Sequence, residues 1–259
     1  MCIRDRSNID VNVNIGTIFS IYKKYSSVSY VKEEDLRQRV LETQADVGLA
    51  FDGDADRVFL LDEKGKSVSG SLTTALIADQ ILKERPDEAV IYNLICSKVV
   101  PEVIHEHGGK GIRSRVGHSF IKELMEKHDA IFAGEHSGHY YFRENYRADS
   151  GVIAALVALK ALSQHQGKLS ELLEPFNRYE SSGELNFSVP DVDASINQIA
   201  EHYKNSMVDW LDGLTVDVGD WWFNLRPSNT EPLLRLNIEA NDNKICEQAI
   251  EEVRTLLSQ

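Results

Sequence analysis

From residue 31 onward, segments with helical spacing of apolar residues alternate with short, continuously apolar runs. Leu36, Val40 and Leu41 recur at the spacing of one helix face, whereas the continuous runs are typical of buried strands. Helices are predicted over residues 31–44, 71–85, 98–106, 118–128, 151–163 and 169–176, and strands over residues 45–51, 58–61, 89–95, 111–116 and 130–133. Ser71 or Thr73 is the expected N-cap of the second helix. This alternation predicts α/β domains with mixed or mostly parallel sheets.

The pattern changes near residues 179–183, beyond which strands predominate. Gly219 and Asp220 are expected to join two of these strands in a tight hairpin. The predicted elements are a strand over residues 184–189, a helix over 194–203, strands over 214–218, 221–225 and 233–238, and a helix over 244–257. That order predicts an α+β domain with a small antiparallel sheet and two helices on one face.

The predicted strand at residues 45–51 leads directly into three carboxylates at alternate positions, Asp52, Asp54 and Asp56. Like charges this close raise one another's pKa unless a counter-charge lies among them. Carboxylate oxygens clustered on a short loop suit Mg²⁺ or Ca²⁺, and Arg57, which follows at once, could hold an anion beside the metal. We therefore predict a divalent-metal site in this acidic loop (residues 52–57).

Two other interpretations of the acidic loop stay open at this point. It could be an acidic turn exposed to solvent. It could also belong to a Ca²⁺-binding module, because the three aspartates and Glu63 fall on positions 1, 3, 5 and 12 of an EF-hand loop. Against the EF-hand, Arg57 stands where that loop needs glycine, and the flanking segments are predicted strands.

A second polar loop, Gly-Glu-His-Ser-Gly-His, follows the predicted strand at residues 130–133. We call residues 134–139 the histidine loop. Its two glycines allow the backbone to approach a ligand closely. Glu135, Ser137 and His139 offer both donors and acceptors, which sugar hydroxyl groups require. A metal site is the alternative, although its histidines, His136 and His139, are three residues apart and lack the helical i, i+4 spacing that would support it.

A third polar segment, Arg-Pro-Ser-Asn-Thr-Glu, lies between two predicted strands. We call residues 226–231 the arginine turn. Arg226 can offer a bidentate fork to phosphate, and backbone N–H groups of the turn can form an anion nest. Ser228, Asn229 and Thr230 add hydroxyl and amide donors. The alternative is an ordinary hairpin rich in turn-forming residues.

Two further residues stand at the predicted start of the helix over residues 118–128. Arg115 and His118 lie at or just before its N-terminus, where an anion is favoured. A helix start exposed to solvent is the alternative for this pair.

Composition narrows the classes of function. The 259 residues carry a formal net charge of −13, which argues against a nucleic-acid partner. No apolar run approaches the roughly 20 residues that span a bilayer, and the N-terminus lacks the apolar segment of a signal peptide, so no membrane partner and a cytoplasmic location are expected. The three cysteines are scattered and suggest neither a disulfide framework nor a zinc site.

The three loops, in this order and at this spacing, resemble the α-D-phosphohexomutases, specifically the bacterial phosphomannomutase/phosphoglucomutase branch. The resemblance covers residues 31–259. It implies an isomerase that acts as an intramolecular phosphotransferase, interconverting hexose 1-phosphate and hexose 6-phosphate. Mannose or glucose phosphate would be the substrate, Mg²⁺ the cofactor, and hexose 1,6-bisphosphate the intermediate and activator.

The resemblance also implies roles for individual residues. Metal ligands are Asp52, Asp54 and Asp56; catalytic residues are Arg57 and His118; substrate-binding residues are Arg115, Glu135, Ser137, His139, Arg226, Ser228, Asn229 and Thr230. The implied layout is the end of domain 2 in residues 1–68, domain 3 in residues 69–179 and domain 4 in residues 180–259.

In the family, a phosphoserine on domain 1 carries the phosphoryl group in a Thr-Ala-Ser-His-Asn-Pro-like loop. No Ser-His dipeptide occurs in these 259 residues. We therefore expect a C-terminal part of the enzyme that lacks the phosphoserine domain and is inactive by itself. A non-catalytic fragment that binds metal and sugar phosphate is the alternative function.

Overall fold

A computed structural model describes residues 15–18, 30–228 and 233–258, with side chains from Glu34 onward. Backbone contacts divide the chain into two compact units. Unit 1 comprises Met1–Arg113 and His118–Asn177, and unit 2 comprises Ser114–Gly117 and Arg178–Gln259. Among the described residues, no helix is long and apolar enough to cross a membrane.

In the part of unit 1 that the structure describes, the first sheet has four strands in the order β1-β2-β3-β4. Its elements are β1 (Ile15–Ile18), α1 (Tyr30–Thr43), β2 (Val47–Phe51), β3 (Val58–Asp62) and β4 (Ser67–Val68). β1 and β2 are parallel, and the other two pairs are antiparallel. Leu36 and Val40 of α1 pack on the sheet beside Gly48, where a Cβ atom would come within 2.7 Å of Val40. Gly48 therefore allows the helix to approach the sheet closely.

The second sheet has five strands in the order β6-β5-β7-β8-β9. The elements are α2 (Gly70–Glu84), β5 (Ala89–Asn93), α3 (Val99–Glu106), β6 (Lys110–Ser114), α4 (His118–His128), β7 (Phe132–Gly134), β8 (Tyr140–Phe142), β9 (Ala148–Asp149), α5 (Gly151–Gln164) and α6 (Leu169–Leu173). β5 and β7 are parallel, whereas β7, β8 and β9 are successively antiparallel. The α/β prediction is confirmed, with mixed sheets.

The expected N-cap of α2 was wrong. Ser69 caps this helix, because its hydroxyl accepts the Leu72 N–H at 3.2 Å. The Ser71 hydroxyl instead lies 2.9 Å from His136 Nδ1, and the Thr73 hydroxyl donates to the Ser69 carbonyl at 3.1 Å. Ser69 and Ser71, which flank Gly70, carry the same hydroxyl group for capping, so the sequence alone did not distinguish between them.

Unit 2 is built on an antiparallel sheet in the order β10-β14-β13-β12-β11. Its elements are β10 (Glu180–Phe187), α7 (Val192–His202), β11 (Met207–Asp209), β12 (Leu214–Asp217), β13 (Trp221–Pro227), β14 (Leu234–Ala240) and α8 (Asn243–Leu257). Both helices contribute to one core cluster with the sheet, which confirms the predicted α+β domain. Gly219, with φ +103°, lies in the predicted hairpin between β12 and β13.

Two features of this sheet were not predicted. β10 begins at Glu180 rather than residue 184, because an irregularity in its pairing between Ser181 and Glu184 carries the strand past Gly183. β11 adds a fifth strand at the edge of the sheet. It is only three residues long, which is too short for an alternating pattern to stand out.

The core of unit 2 depends on the alternation of side chains along β13. Trp221, Phe223 and Leu225 belong to the cluster shared with α7 and α8. Trp222, Asn224 and Arg226 therefore point to the opposite face of the sheet. That second face is also shielded from solvent, since all three of these side chains are buried.

Candidate functional site

The acidic loop joins β2 to β3, which are antiparallel neighbours. Its flanking elements are strands, in contrast to the two helices of an EF-hand. Arg57 folds back over Asp52: its Nε lies 2.6 Å from Asp52 Oδ2, and its backbone N–H donates to Asp52 Oδ1 at 3.2 Å. Arg57 pairs with both Asp52 and Asp56. It thereby neutralises Asp52, whose side chain is 11% exposed, more closely than Asp56, whose side chain is 36% exposed.

Each of the three aspartates offers an oxygen atom within 4.8 Å of the other two. Burial opposes ionisation of Asp52, but the hydrogen bonds from Arg57 outweigh this effect and lower its pKa. Burial and the neighbouring Asp52 raise the pKa of Asp56. Excess negative charge on a short loop, with oxygen donors facing one another, suits a hard divalent cation.

The acidic loop is held in an unusual backbone conformation. Ala55 has φ +60°, which costs a non-glycine residue free energy and needs support from neighbouring groups. Gly151, the first residue of α5, donates its N–H to the Ala55 carbonyl at 3.0 Å. A Cβ atom on Gly151 would lie 2.5 Å from the backbone of Arg57, so this contact requires glycine.

The histidine loop joins β7 to β8, which are also antiparallel. It closes on itself, because the Glu135 N–H donates to the His139 carbonyl at 2.9 Å and the Gly138 N–H donates to the Glu135 carbonyl at 3.1 Å. Gly138 has φ +88°, a conformation that favours glycine. The loop is therefore a compact turn whose backbone is largely fixed by its own hydrogen bonds.

The structure brings the acidic loop and the histidine loop together within unit 1. Arg57 and His139 form an isolated antiparallel β-bridge, and the Val58 N–H donates to the Gly138 carbonyl at 3.3 Å. His139 Nε2 lies 3.9 Å from Asp56 Oδ1. Two loops separated by about eighty residues of sequence thus form one polar surface.

Glu135 lies beneath this surface, only 3% exposed. The Tyr141 hydroxyl donates to Glu135 Oε1 at 2.7 Å, and Asn93 Nδ2 donates to Glu135 Oε2 at 3.3 Å. Sequence reasoning missed both partners. Asn93 is a polar residue at the end of strand β5, and that position could have marked it as a site residue. Tyr141 lies in an apolar strand, so its sequence context gave no sign of a polar role.

Ser137 and His139 face each other at the rim of the histidine loop. Ser137 Oγ lies 3.1 Å from His139 Nδ1, which is also 3.7 Å from Glu135 Oε1. Asp149, which sequence reasoning also missed, offers an oxygen within 4.8 Å of ligand atoms on Asp56 and His139. Lys122 of α4 lies 3.3 Å from Asp149 and balances its charge.

The two residues predicted near the start of α4 fall in different units. His118 is exposed and is the first residue of α4 in unit 1. Arg115 belongs to the short segment grouped with unit 2, where its Nη2 lies 3.9 Å from Asp212 Oδ1. The neighbouring Val116 N–H donates to Asp212 Oδ2 at 3.1 Å.

The arginine turn lies in unit 2 and begins with Arg226 and Pro227, the last two residues of β13. Arg226 is 7% exposed, and its Nη2 donates to Glu184 Oε2 at 3.1 Å. Burial lowers the pKa of Arg226, and Glu184 opposes this effect. The Ser228 N–H donates to the Leu233 carbonyl at 2.8 Å, while Asn229 and Thr230 lie outside the described residues.

Two models of one protein family match successive parts of the chain. The phosphoglucomutase/phosphomannomutase alpha/beta/alpha domain III matches residues 69–179, and the C-terminal domain of the same family matches residues 184–256. The chain belongs to the phosphoglucomutase/phosphomannomutase family. The resemblance seen in the three loops is thereby confirmed, and with it membership of a family of isomerases that act as phosphotransferases.

Individual members of the family agree with this assignment. The chain is 46% identical over 225 residues to a phosphomannomutase of Methanocaldococcus jannaschii, with 87% of this chain and 50% of the relative covered. A solved phosphoglucomutase/phosphomannomutase family protein from Burkholderia thailandensis superposes with a TM-score of 0.79 at 27% identity, covering 88% of this chain and 49% of that one.

The fold also extends to a more distant phosphohexomutase. The N-acetylphosphoglucosamine mutase of Aspergillus fumigatus, solved in complex with GlcNAc-6P and magnesium, superposes with a TM-score of 0.60 at 15% identity, covering 85% of this chain and 52% of that one. The chain spans about half the length of the curated relatives it matches.

Proposed function

We propose that this chain is the part of a phosphomannomutase/phosphoglucomutase that holds the metal, the sugar and the non-reacting phosphate. The observation that carries the proposal is the bridge between Arg57 and His139, which joins the acidic loop to the histidine loop. A cation beside donors and acceptors for hydroxyl groups is the arrangement that phosphoryl transfer to a sugar needs. The layout we propose is the end of domain 2 in residues 1–68, domain 3 in residues 69–179 and domain 4 in residues 180–259.

Mg²⁺ is the proposed cofactor, and Asp52, Asp54 and Asp56 are its proposed ligands. The facing oxygens of these carboxylates support the assignment, as does the magnesium in the solved Aspergillus fumigatus enzyme. When bound, the ion would neutralise charge on a transferring phosphoryl group. Arg57, already paired with Asp52, would hold a phosphate beside the metal.

The substrate would be a hexose phosphate, with mannose or glucose as the sugar. Ser137 and His139 would contact its hydroxyl groups at the rim of the histidine loop, with Glu135 beneath them. Residues proposed to bind phosphate are Arg115, Arg226, Ser228, Asn229 and Thr230, and His118 is proposed, with Arg57, as a catalytic residue. A phosphate held away from the reacting end supplies binding energy that positions the sugar.

Asp54→Asn is expected to weaken Mg²⁺ binding. The substitution removes one of three anionic ligands, and even residues that only support a ligand typically change metal affinity by roughly 10–100-fold. Titration calorimetry should therefore give an affinity at least about tenfold lower than wild type. Asp193→Asn, an exposed aspartate on α7, makes the same charge change elsewhere and serves as the control. Equal Mg²⁺ affinity in both variants would refute the metal site.

The 259-residue chain by itself is expected to bind hexose phosphate without converting it. The phosphoserine of the family lies in a Ser-His context, and no Ser-His dipeptide occurs here. A coupled assay that starts from glucose 1-phosphate or mannose 1-phosphate, with a hexose bisphosphate as activator, should show no turnover. A complete phosphomannomutase is the positive control. Turnover by the chain alone would show that another of its residues carries the phosphoryl group.

A further inference from the structure

The strands on both sides of β7 hold the carboxylate of Glu135, the residue that follows β7. The Tyr141 hydroxyl on β8 donates to Glu135 Oε1 at 2.7 Å, and Asn93 Nδ2 at the end of β5 donates to Glu135 Oε2 at 3.3 Å. β5 and β8 are the two neighbours of β7 in the sheet. Asn93 and Tyr141 are both fully buried. Each carboxylate oxygen therefore has a donor of its own, and the sheet fixes both donors in place.

The amide of Asn93 is itself held in one orientation. Its Oδ1 accepts from Cys96 Sγ at 3.1 Å and from the His136 N–H at 3.5 Å. Burial and the nearby Glu135 raise the pKa of Cys96 to about 12, so the thiol keeps the proton that it donates. Because an amide carries its acceptor and its donors on opposite sides, these two bonds direct Nδ2 toward Glu135.

Neither donor cancels the charge of the Glu135 carboxylate. The Asn93 amide is neutral, and burial together with Glu135 raises the pKa of Tyr141, so its hydroxyl remains neutral too. Burying a carboxylate is costly, and an apolar side chain would fill a core position at lower cost. Glu135 Oε1 lies 3.7 Å from His139 Nδ1, at the rim of the histidine loop. The charge is therefore kept where the rim can use it.

We propose that Asn93 and Tyr141 are positioning residues for sugar recognition, which hold the Glu135 carboxylate in the orientation that the rim of the histidine loop requires. This inference rests on the proposed function, because it concerns the same sugar site. Hydrogen bonds weaken steeply when their angle is poor, so a carboxylate that is free to turn keeps its charge but loses its geometry. Asn93 and Tyr141 therefore act on the sugar part of the ligand.

Tyr141→Phe removes one hydroxyl group and keeps the buried ring. The affinity for glucose 6-phosphate should fall by about tenfold, the effect of losing one hydrogen bond to a charged group. The affinity for inorganic phosphate should stay unchanged, because that ligand has no sugar. Tyr203→Phe is the matched control, since the Tyr203 hydroxyl donates to Glu252 Oε1 at 2.6 Å in unit 2.

Asn93→Asp keeps the size of the side chain but places a second carboxylate against Glu135. At neutral pH the affinity for glucose 6-phosphate should fall by at least about tenfold, because the two carboxylates repel each other. It should recover toward about pH 5, where a protonated Asp at position 93 donates to Glu135 as the amide does. The other titratable groups that face Glu135 are Tyr141, His139 and Cys96, and wild type measured over the same pH range accounts for them.

Asn243→Asp is the matched control for this second variant. Asn243 Nδ2 donates to Glu247 Oε1 at 2.9 Å on the exposed side of α8, so the substitution makes the same change far along the chain from the histidine loop. All variants are titrated by calorimetry with glucose 6-phosphate and with inorganic phosphate, after thermal unfolding has shown that each is folded. Inorganic phosphate at each pH corrects for ionisation of the ligand's phosphate.

Three results would overturn the proposal. The first is glucose 6-phosphate affinity in Tyr141→Phe and Asn93→Asp equal to that of their controls. The second is a parallel loss of inorganic phosphate binding, and the third is no recovery of Asn93→Asp at low pH; either would mean that the two residues only support folding. A wild-type chain that binds glucose 6-phosphate no more tightly than inorganic phosphate would instead refute the sugar site of the proposed function, and this inference with it.

Discussion

Replacing Phe223 with alanine is expected to destabilise unit 2 by about 3–5 kcal/mol, the usual cost of truncating a buried phenylalanine. Phe223 is fully buried in the central strand β13. Its ring packs edge-on against Tyr203 at 5.3 Å between centroids and stacks with Trp221 at 5.6 Å. Neither ring can fill the space that alanine would leave without losing its own contacts. Because β13 also leads into the arginine turn, phosphate binding should fall together with stability.

Tryptophan fluorescence is the appropriate measurement for this prediction. All three tryptophans, Trp210, Trp221 and Trp222, belong to unit 2, so their emission during urea unfolding follows that unit. Trp210→Ala is the control for losing an aromatic ring, since that side chain is 54% exposed and should matter little to stability. A change below about 1 kcal/mol for Phe223→Ala would mean that the core does not depend on this ring.

Much of the fold could be predicted from the sequence, because many segments combine a strong periodicity of apolar residues with residues that typically begin or end a helix or form a turn. The helix predicted over residues 118–128 has those bounds in α4. The hairpin at Gly219 followed from a dipeptide whose turn chemistry is specific. In both cases local information was sufficient, because the residues that fix the element are close together in the chain.

Predictions failed where the deciding contact is distant in sequence or lacks a local pattern. β8 was missed because Tyr140, Tyr141 and Phe142 are buried without alternation and form only a short run. β9 and β11 are two and three residues long, and pairing with a neighbour is what makes them strands. No local propensity could have revealed them.

The candidate site likewise has features that local sequence predicts and features that depend on distant contacts. The chemistry of the acidic loop and the histidine loop could be predicted from residue types, but their bridge through Arg57 and His139 depends on the tertiary structure. Glu135 illustrates the difference. Its sequence context suggested a group open to sugar, whereas the structure buries it and satisfies it with Tyr141 and Asn93.

Gly151→Ala is expected to disrupt the acidic loop, although the substituted residue lies outside that loop. Alanine normally favours a helix over glycine by about 1 kcal/mol, so a stability gain would be the simple expectation for the start of α5. Here a Cβ atom would lie 2.5 Å from the carbonyl carbon and oxygen of Arg57 and 3.0 Å from the Ala55 carbonyl oxygen. These are backbone atoms, which cannot rotate aside as a side chain could.

The collision would push the acidic loop away from α5 and lengthen the hydrogen bond from residue 151 to the Ala55 carbonyl, which is 3.0 Å in the structure. That bond supports the positive φ of Ala55, so its loss should change the relative positions of the three aspartate carboxylates. We expect a destabilisation of about 1–3 kcal/mol, as for other overpacked sites, and a fall in Mg²⁺ affinity of at least roughly tenfold. Calorimetric thermal unfolding measures the loss of stability, and calorimetric Mg²⁺ titration of the same samples measures the loss of affinity. Gly111→Ala is the control, because its Cβ atom would meet side chains and no backbone, with the nearest atom in the Tyr92 ring at 3.3 Å and Ile104 Cδ1 at 3.7 Å. If Gly151→Ala binds Mg²⁺ as tightly as Gly111→Ala, the support that α5 gives to the acidic loop has no part in metal binding.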